Sequence, residues 1–277
     1  MKSPSIDLNN LMFDLPTLNA ALINTVFAGK LHYAPVTAST NTNALAAAKV
    51  GAPHGSVFFA DEQTAGRGRG GHTWHSAPGD GLYVSVLLRP TLPASTLPLL
   101  PLAAGLAAAS AIQQATSLAI DLRWPNDLLI GPRKLGGILV EARTESASIA
   151  HAVVGIGINV HHRAFPADLA TPATSLDLET GTRNSRQPLL VALLKSLEAE
   201  AAALTDPRAL ETISHRVQQA STWISGRAVH VHGPQACTGI TAGLDANGFL
   251  LVRTNSGLVT VQTGGLRAAE NQSEDLK

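Results

Sequence analysis

The chain is poor in cysteine, with Cys237 as the single cysteine among 277 residues. A lone cysteine excludes an internal disulfide, and such chains are typical of reducing compartments. The first residues contain no unbroken apolar run, and Asp7 and Asp14 interrupt the segment where a signal peptide would lie. These absences predict a cytoplasmic protein.

The chain also lacks an excess of charge of either sign. Lys plus Arg and Asp plus Glu number 20 each, so the formal net charge is zero, and aromatic residues make up only 4%. Zero net charge argues against a protein that coats nucleic acid, although a local basic patch is compatible with it. Apolar residues reach 45%, which is enough for a sizeable core and excludes general disorder.

A long apolar run of the kind that spans a membrane is missing as well. The most apolar stretch, Leu97 to Ile120, is interrupted by Pro98, Pro101, Gln113 and Gln114. A membrane span needs about 20 consecutive, mostly apolar residues. The pattern predicts a buried helix from Leu99 to Thr116 and no membrane partner.

Apolar periodicity divides the chain into two predicted domains of an α+β fold. Residues 18–222 mix helix-period and strand-period segments, and residues 223–270 are short β-rich runs separated by turns. Short strands at regular spacing are typical of a small barrel. We expect a mixed sheet flanked by helices, followed by a small β-barrel.

Three local expectations follow from the same patterns. The alternation of apolar residues from Leu82 to Leu88 predicts a strand with one face in the core. The segment from His162 to Arg186 has little periodicity and is predicted to be a loop, with His161 and His162 as ordinary loop residues. The strand from Leu135 to Ala142 is a candidate edge strand through which two copies could pair.

The stretch from Asp61 to Trp74 combines glycine with arginine. Two arginines, Arg67 and Arg69, alternate with four glycines, and we call residues 64–74 the glycine–arginine loop. Glycine loses much backbone entropy when it is ordered, so the loop should be mobile when empty. Guanidinium groups present planar sets of donors that suit phosphate and carboxylate oxygens. The composition indicates a loop that closes over an anionic ligand.

Four further stretches place polar groups beside apolar strands or at a helix start. They are Ser39-Thr40-Asn41, Arg123-Trp124-Pro125-Asn126-Asp127, Lys134-Leu135-Gly136-Gly137-Ile138-Leu139-Val140-Glu141 and Gly155-Ile156-Gly157-Ile158-Asn159. The first sits where helix N-caps sit, and the glycines of the others allow close backbone approach. No dinucleotide fingerprint or Walker A pattern is present.

In this order and spacing, these motifs and the glycine–arginine loop resemble the biotin protein ligases, from about Leu31 to Arg267. The resemblance is to the shorter class, which lacks an N-terminal DNA-binding domain. It implies a class II synthetase-like catalytic domain followed by an SH3-like barrel. It also implies that biotin and MgATP give biotinyl-5′-AMP, and that biotin then passes to a lysine of a biotin carboxyl carrier domain of acetyl-CoA carboxylase or a related carboxylase.

The resemblance implies a role for each matching residue. Lys134 and Arg69 are the candidate catalytic residues, and Arg69 would also retain the adenylate. Biotin would contact Ser39, Thr40, Asn41, Gln63, Arg67, Gly68, Arg69, Trp74, Lys134 and Gly136. ATP would contact Arg69, His72, Asn126, Asn159 and Arg267, and Asp127 would bind Mg²⁺ or organise the phosphate side.

Two departures from the family pattern stand out. His72 occupies a position late in the loop where a basic residue is frequent, which makes the loop's grip on an anion weaker or pH-dependent. The final strand ends Gly264-Gly265-Leu266-Arg267 without an acidic residue and a serine that the motif usually carries, so the placement of Arg267 is open.

Three alternatives compete with this interpretation. A lipoate-type ligase shares the adenylate chemistry, and a non-catalytic biotin-binding regulator would keep the pocket without the reaction. An RNA-binding protein rests only on the glycine–arginine content and is disfavoured by zero net charge and few aromatics. The sequence leaves the acceptor carboxylase open, and the chain is expected to be a monomer or a homodimer.

Overall fold

The computed structural model describes residues 13–269, in which a seven-stranded sheet packed against helices is followed by a five-stranded sheet. The predicted end of the second domain, residue 270, lies outside the described residues. The helices are α1 (Leu15–Ala21), α2 (Thr40–Lys49), α3 (Leu99–Thr116), α4 (Leu176–Thr180), α5 (Arg186–Ala203) and α6 (Pro207–Gln219). Short 3₁₀ turns cover Arg69–Gly71 and Ala94–Thr96.

The strands of the larger sheet are β1 (Leu31–Thr37), β2 (Ser56–Gln63), β3 (Gly81–Leu88), β4 (Asp121–Arg123), β5 (Asp127–Ile130), β6 (Arg133–Glu145) and β7 (Ser148–Asn159). Their order is β1-β2-β3-β7-β6-β5-β4. Only the β1–β2 pair is parallel, so the sheet is mixed, as predicted. The ends of β2, β6 and β7 carry the sequence motifs and lie close together.

Helices cover both faces of this sheet. On one face, α2 packs Ala44 and Ala48 against Leu87 and Val153. On the other face, α3 and α5 join the main apolar core. Helix α3 is long and apolar enough by composition to cross a membrane, yet 61% of it is buried inside the protein. The predicted buried helix is confirmed.

Strand β3 differs from the prediction of one buried face, because all eight of its residues are buried. Its outward positions are covered by α2, where Ser85 meets the first turn of that helix. A strand covered on both faces tolerates polar residues only if they are hydrogen-bonded. The alternation was therefore a sign of satisfied buried polar groups and not of solvent exposure.

The region predicted as a loop from His162 to Arg186 contains the short helix α4. Ser175 caps it, and its hydroxyl accepts a hydrogen bond from the backbone N–H of Leu178. Both histidines before it are buried, with 8% exposure for His161 and 1% for His162. His161 Nδ1 lies 2.8 Å from Asp177 Oδ2, and the His162 ring stacks on Phe165. They are core residues, because the polar loop folds back over the end of β7.

The strand proposed as a sheet edge, Leu135 to Ala142, is part of β6 and lies between β5 and β7. Residues 133–137 pair with β5 on one side, and residues 136–145 pair with β7 on the other. The edges of the sheet are β1 and β4. The expectation of an edge is wrong over residues 135–137, because the short strand β5 covers them.

The second sheet contains β8 (Ser225–His232), β9 (Cys237–Leu244), β10 (Leu250–Thr254), β11 (Gly257–Val261) and β12 (Gly265–Ala268), in the order β11-β10-β9-β8-β12. All its pairs are antiparallel. In the described chain no ladder joins β11 to β12, so the predicted barrel is not closed. These edge strands have only five and four residues and leave little backbone to pair.

The smaller sheet packs against the first. Trp124 is buried and its Nε1 donates to the carbonyl oxygen of Gly248, 3.0 Å away. A Cβ added at Gly248 would come within 2.7 Å of Leu99 in α3. This close approach positions β8 and β12 opposite the end of β5, with a cleft between them.

Candidate functional site

Two cavities adjoin at the glycine–arginine loop. The smaller one, of about 50 Å³, lies between the start of α2 and the strands β6 and β7. The larger one, of about 660 Å³, lies between the larger sheet and the C-terminal sheet. Five side chains or backbone positions border both: Gly68, Arg69, Trp74, Asn126 and Lys134.

The smaller cavity gathers most of the residues predicted to bind biotin. Its walls include Ser39, Thr40, Asn41, Gln63, Arg67, Gly68, Arg69, Trp74 and Lys134. Gly136 is absent from them because it packs against the carbonyl of Gly157 and the side chain of Leu128. Gly137 takes its place on the wall, since successive strand residues face opposite sides.

The polar groups of this cavity hold each other in fixed orientations. Gln63 Oε1 accepts hydrogen bonds from the backbone N–H of Thr40 at 2.9 Å and from its hydroxyl at 3.1 Å. Gln63 Nε2 donates to Ser76 Oγ at 2.9 Å. The Ser85 hydroxyl lies 2.5 Å from Asn41 Oδ1. A network of this kind fixes which oxygens and which N–H groups face a ligand.

Two side chains at this cavity have a hydrogen-bond donor available for a ligand. One is Ser39, just before the first turn of α2, and the other is Trp74, in the glycine–arginine loop. Ser39 is the N-cap of α2 and is only 3% exposed, yet its side chain makes no capping hydrogen bond. Trp74 Nε1 is buried and has no hydrogen-bond partner in the part of the chain that the structure describes. A buried polar group without a partner costs free energy, so such groups favour a ligand that pairs with them.

Glycines in β7 form the floor of the cavity. A Cβ added at Gly155 would overlap the amide of Asn41, and one at Gly157 would come within 2.5 Å of Trp74 Nε1. Only glycine lets the side chains of α2 and of the loop approach the strand so closely. The sequence pattern Gly-Ile-Gly thus shapes the cavity floor.

The larger cavity is strongly cationic. Its walls carry Arg69, Arg123, Lys134 and Arg267 together with three histidines, His72, His75 and His232. Among the described residues, Asp127 is the only acidic one on its walls. The predicted nucleotide residues His72, Asn126, Asn159 and Arg267 all lie here. Cationic groups converging in a cleft are suited to a polyphosphate.

Lys134 stands where the two cavities meet. Its backbone N–H donates to the carbonyl of Pro172 at 2.7 Å, and its carbonyl accepts from Thr174 at 2.9 Å. Its ammonium lies 2.5 Å from Asp127 Oδ1 and 5.5 Å from the centre of the Trp74 ring. The lysine is thus fixed at both its backbone and its charged end.

Asp127 is engaged by cations on both oxygens. Arg123 Nη2 donates to Asp127 Oδ2 at 2.6 Å, and Lys134 binds Oδ1. Burial raises the pKa of the Asp127 carboxyl, but the Lys134 ammonium and the Arg123 guanidinium outweigh burial and hold this pKa below its usual value. The described residues contain no group of three or more His, Cys, Asp or Glu suited to a metal ion. In this arrangement the two oxygens of Asp127 anchor Arg123 and Lys134, and the magnesium role of Asp127 stays a prediction, since Mg²⁺ needs only one or two carboxylates beside substrate phosphates.

Both arginines of the glycine–arginine loop contact other parts of the chain. Arg67 Nη2 lies 2.5 Å from Glu141 Oε2, which also accepts from Asn41 Nδ2 at 2.9 Å. Arg69 Nη2 donates to Thr263 Oγ1 at 2.7 Å, and its Nη1 donates to the carbonyl of Gly264. The two arginines thus tie the loop to the larger sheet and to the C-terminal sheet.

Sequence reasoning missed several groups at this site. Arg123 and Glu141 were inside recognised motifs but carried no assigned role. Phe165 and Leu169 contribute an apolar wall to the larger cavity from the segment predicted to be a plain loop. His232 reaches it from β8. Only alternation within the β-rich tail could have signalled that the His232 side chain faces outward.

Asn159 and Arg267 reach the larger cavity from different sheets. Asn159, at the end of β7, is 5% exposed, and its Nδ2 donates to the carbonyl of Thr174 at 3.0 Å. Arg267 is in β12, opposite His230 of β8. Its exposed side chain faces the cavity despite the shortened motif around it.

Comparison with known proteins is consistent with this geometry. The model of the biotin/lipoate A/B protein ligase family matches residues 33–159, and that of the biotin protein ligase C-terminal domain matches residues 224–264. The chain is 34% identical over 250 residues to the bifunctional ligase/repressor BirA of Bacillus subtilis, covering 87% of this chain and 74% of that protein. It covers 54% of the length of the Bacillus spizizenii BirA, at 38% identity.

Relatives without a repressor name match over a larger share of their length. The biotin–[acetyl-CoA-carboxylase] ligase of Mycobacterium tuberculosis is 33% identical over 235 residues, 82% of this chain and 85% of that protein. Among solved structures, the biotin protein ligase from Aquifex aeolicus in complex with biotin and ATP superposes with a TM-score of 0.75 at 30% identity, covering 87% of this chain and all of that one. The cationic cleft, the glycine-floored pocket between α2 and β7 and these matches together make the chain a member of the biotin protein ligase family.

Proposed function

We propose that the chain activates biotin with MgATP to biotinyl-5′-AMP and then transfers biotin to a lysine of a carrier domain. The observation that carries this proposal is the position of Lys134 at the junction of a neutral, hydrogen-bonding pocket and a cationic cleft. A reaction that joins an uncharged ring system with a carboxylate tail to a nucleotide needs two such compartments and a cation between them.

The smaller cavity supports the recognition of biotin. The amide of Gln63, the side chains of Ser39 to Asn41 and the indole N–H of Trp74 supply donors and acceptors without a net charge. A ureido ring has two N–H donors and one carbonyl acceptor and pairs with such a set. Lipoate carries a dithiolane ring without N–H groups, so the polar side chains of this cavity favour biotin.

The first chemical step brings two anions together. An oxygen of the biotin carboxylate attacks the α-phosphorus of ATP, the bond to the bridging oxygen breaks, and pyrophosphate leaves. Lys134 can neutralise charge on the carboxylate and the α-phosphate, and Arg69 can do so from the loop. Cations that stabilise the developing charge more than the ground state accelerate such a step.

Asp127 supports this chemistry through Lys134. It holds the ammonium in place, and the low pKa of its carboxyl makes it a poor proton acceptor. Mg²⁺ enters with the nucleotide as part of the substrate, since magnesium usually keeps several waters and binds substrate phosphates.

In the second step an acceptor lysine amine attacks the carbonyl carbon of the adenylate, and AMP leaves. The larger cavity offers the room, because about 660 Å³ lies within the range of roughly 300–1,000 Å³ found for ligand sites. The names of the Mycobacterium and Paracoccus relatives support the biotin carboxyl carrier domain of acetyl-CoA carboxylase as acceptor. The proposal includes a cytoplasmic location and a monomer or homodimer.

An ATP–pyrophosphate exchange assay tests the first step. Purified protein with MgATP is assayed with biotin, with lipoate and without an acid, and Lys134→Ala is run beside it. Biotin-dependent exchange that Lys134→Ala abolishes supports the proposal. Exchange with lipoate alone would favour a lipoate-type ligase, and tight biotin binding without exchange would favour a non-catalytic regulator.

A further inference from the structure

Resting on the proposed function, we infer that the C-terminal sheet keeps the glycine–arginine loop closed through a latch between Arg69 and the turn Gln262–Gly264. Thr263 is then a positioning residue for Arg69. The latch slows the escape of biotinyl-5′-AMP and limits entry to the smaller cavity. The C-terminal sheet would thus act on the reaction by controlling loop opening.

The contact is bidentate. One guanidinium nitrogen of Arg69 donates to Thr263 Oγ1 at 2.7 Å, and the other donates to the carbonyl of Gly264. Two parallel donors fix the plane of a guanidinium as well as its distance. The loop and the turn are 194 residues apart along the chain, so this contact joins the two sheets directly.

The turn that accepts these hydrogen bonds is itself held in place. Gln235 Oε1 accepts from the backbone N–H groups of Gln262 at 2.7 Å and Thr263 at 3.2 Å. Its Nε2 donates to the carbonyl of Thr260 at 3.1 Å. Gly264 has φ +153°, and a Cβ there would come within 2.5 Å of the His232 carbonyl. The acceptors are therefore positioned before Arg69 arrives.

The chemistry of the latch keeps the charge of Arg69 available. Thr263 and Gly264 offer a hydroxyl and a carbonyl, which are neutral and align a guanidinium without neutralising it. Arg67 differs, because its partner Glu141 is a carboxylate. Burial lowers the pKa of Arg69, an effect that the charge of Asp127 opposes. Of the two loop arginines, Arg69 is thus the one prepared to meet a phosphate.

The size of the smaller cavity supports a closed loop. Its volume of about 50 Å³ is well below the roughly 300 Å³ at which small-molecule sites begin. Arg67, Gly68 and Arg69 form part of its wall. A ligand can enter fully only if this wall moves, and both arginine contacts resist that movement. Their strength sets the rate of opening.

The test removes the hydroxyl acceptor with little change in shape. Thr263→Val is compared with Thr263→Ser, which keeps the hydroxyl, and with Thr260→Val in β11, whose side chain makes no hydrogen bond within residues 13–269. Adenylate is formed with labelled ATP, excess ATP is removed, and release of labelled adenylate is followed. Losing a hydrogen bond to a charged group should speed escape roughly tenfold to a hundredfold.

The expected result is faster escape for Thr263→Val, near wild-type escape for Thr263→Ser and Thr260→Val, and an unchanged KM for ATP in these two control variants. Equal or slower escape for Thr263→Val would overturn the latch. Failure of wild-type protein to catalyse biotin-dependent exchange would overturn the proposed function instead.

Limited trypsin digestion tests the latch without the reaction. Trypsin cleaves after Arg67 and Arg69 only when the loop opens, so Thr263→Val should be cut there several-fold faster than wild type and Thr260→Val. Cleavage elsewhere in the chain serves as the control for global stability. Unchanged cleavage at the loop would contradict the inference even if the protein proved inactive.

Discussion

The two cavities differ in charge, size and origin, although they share a wall. The smaller one is built from the start of α2, the end of β2 and the glycines of β7, all in one domain. Its groups are mostly neutral and hydrogen-bonded to each other. The larger one takes side chains from loops and from both sheets and is rich in cations. Shape and neutral hydrogen bonds suit the selection of one small ring system, whereas converging charges suit a polyphosphate.

The fold thus places the selection of biotin in one cavity and its activation by the nucleotide in the other. Helix α2 and the strands hold most of the smaller cavity, because specificity needs fixed distances, and the glycine–arginine loop closes its remaining wall. The cationic cleft uses loops and a second sheet, so its parts can separate. Lys134 and Arg69 border both cavities, so a substitution of either residue should affect both the selection of biotin and its activation.

The largest effect is expected for Lys134→Ala, which removes the cation between the cavities. Biotin-dependent exchange should fall by a factor of about 10²–10³, the usual loss for one preorganised transition-state donor. The rate of ATP–pyrophosphate exchange measures this loss, and calorimetry shows whether the variant still binds biotin. Asp127→Asn is a matched variant that keeps the lysine but loosens it, and a smaller decrease is expected. A Lys134→Ala enzyme as active as wild type would contradict the role of this lysine.

Filling the floor of the smaller cavity should be nearly as damaging. Gly155→Ala places a methyl group against the Asn41 amide, so biotin affinity should fall by about a hundredfold, consistent with overpacking costs of about 1–3 kcal/mol. Gly265→Ala is the control in the larger cavity, because a Cβ there meets nothing within 4 Å. Calorimetry on both variants checks this pair. Equal losses of biotin affinity in Gly155→Ala and Gly265→Ala would mean that the two cavities do not differ in rigidity.

Removing a cation from the far wall should affect the nucleotide alone. Arg267→Gln is expected to raise the KM for ATP roughly tenfold to a hundredfold, because a charge-assisted hydrogen bond contributes about 1.5–3 kcal/mol. The KM for biotin should stay near the wild-type value. His230→Gln, on the neighbouring strand β8 but outside the cavity walls, is the control. A rise in the KM for biotin without a rise in the KM for ATP would contradict the assignment of Arg267 to the nucleotide in the larger cavity.

The smallest effect concerns pH and the buried His162. Burial lowers the pKa of His162, while Asp80 opposes this and His75 and His161 reinforce it. The unfolded chain then binds more protons as pH falls below about 6.5, so the free energy of unfolding decreases from there down to the folded-state pKa. A decrease of roughly 2–4 °C in Tm follows for each 1 kcal/mol lost.

Thermal unfolding between pH 7.5 and 5.5 measures this effect. His162→Gln should lower Tm at all pH values but make its pH dependence shallower. His72→Gln is the control, because His72 is exposed and should leave the slope unchanged. An identical slope in His162→Gln and wild type would show that other groups dominate the acid response.

Much of the fold could be predicted from the sequence. The helix Leu99–Thr116 was predicted with the observed bounds, because apolar spacing and proline signals are local. The mixed sheet and the β-rich tail also followed from periodicity. The burial of Tyr83 and Ser85 did not, since it depends on α2 covering the outer face of β3.

The candidate site was likewise predicted in part from the sequence. Motifs placed Lys134, Gln63 and the glycine–arginine loop near one ligand, because each motif lies at the end of a strand. They did not show that Asp127 faces two cations, nor that Gly137 and not Gly136 borders the cavity. Those facts depend on register and on side chains from other elements.

The sequence by itself determined the chemical groups of this protein: the glycines that permit close approach, the two loop arginines, and a lysine after a tight turn. Only the tertiary structure decided how these groups pair. Arg67 meets a carboxylate from β6, and Arg69 meets the C-terminal turn some 194 residues away. Residue types and local backbone preferences are properties of short segments, whereas charge pairing and cavity shape arise only when distant segments pack together.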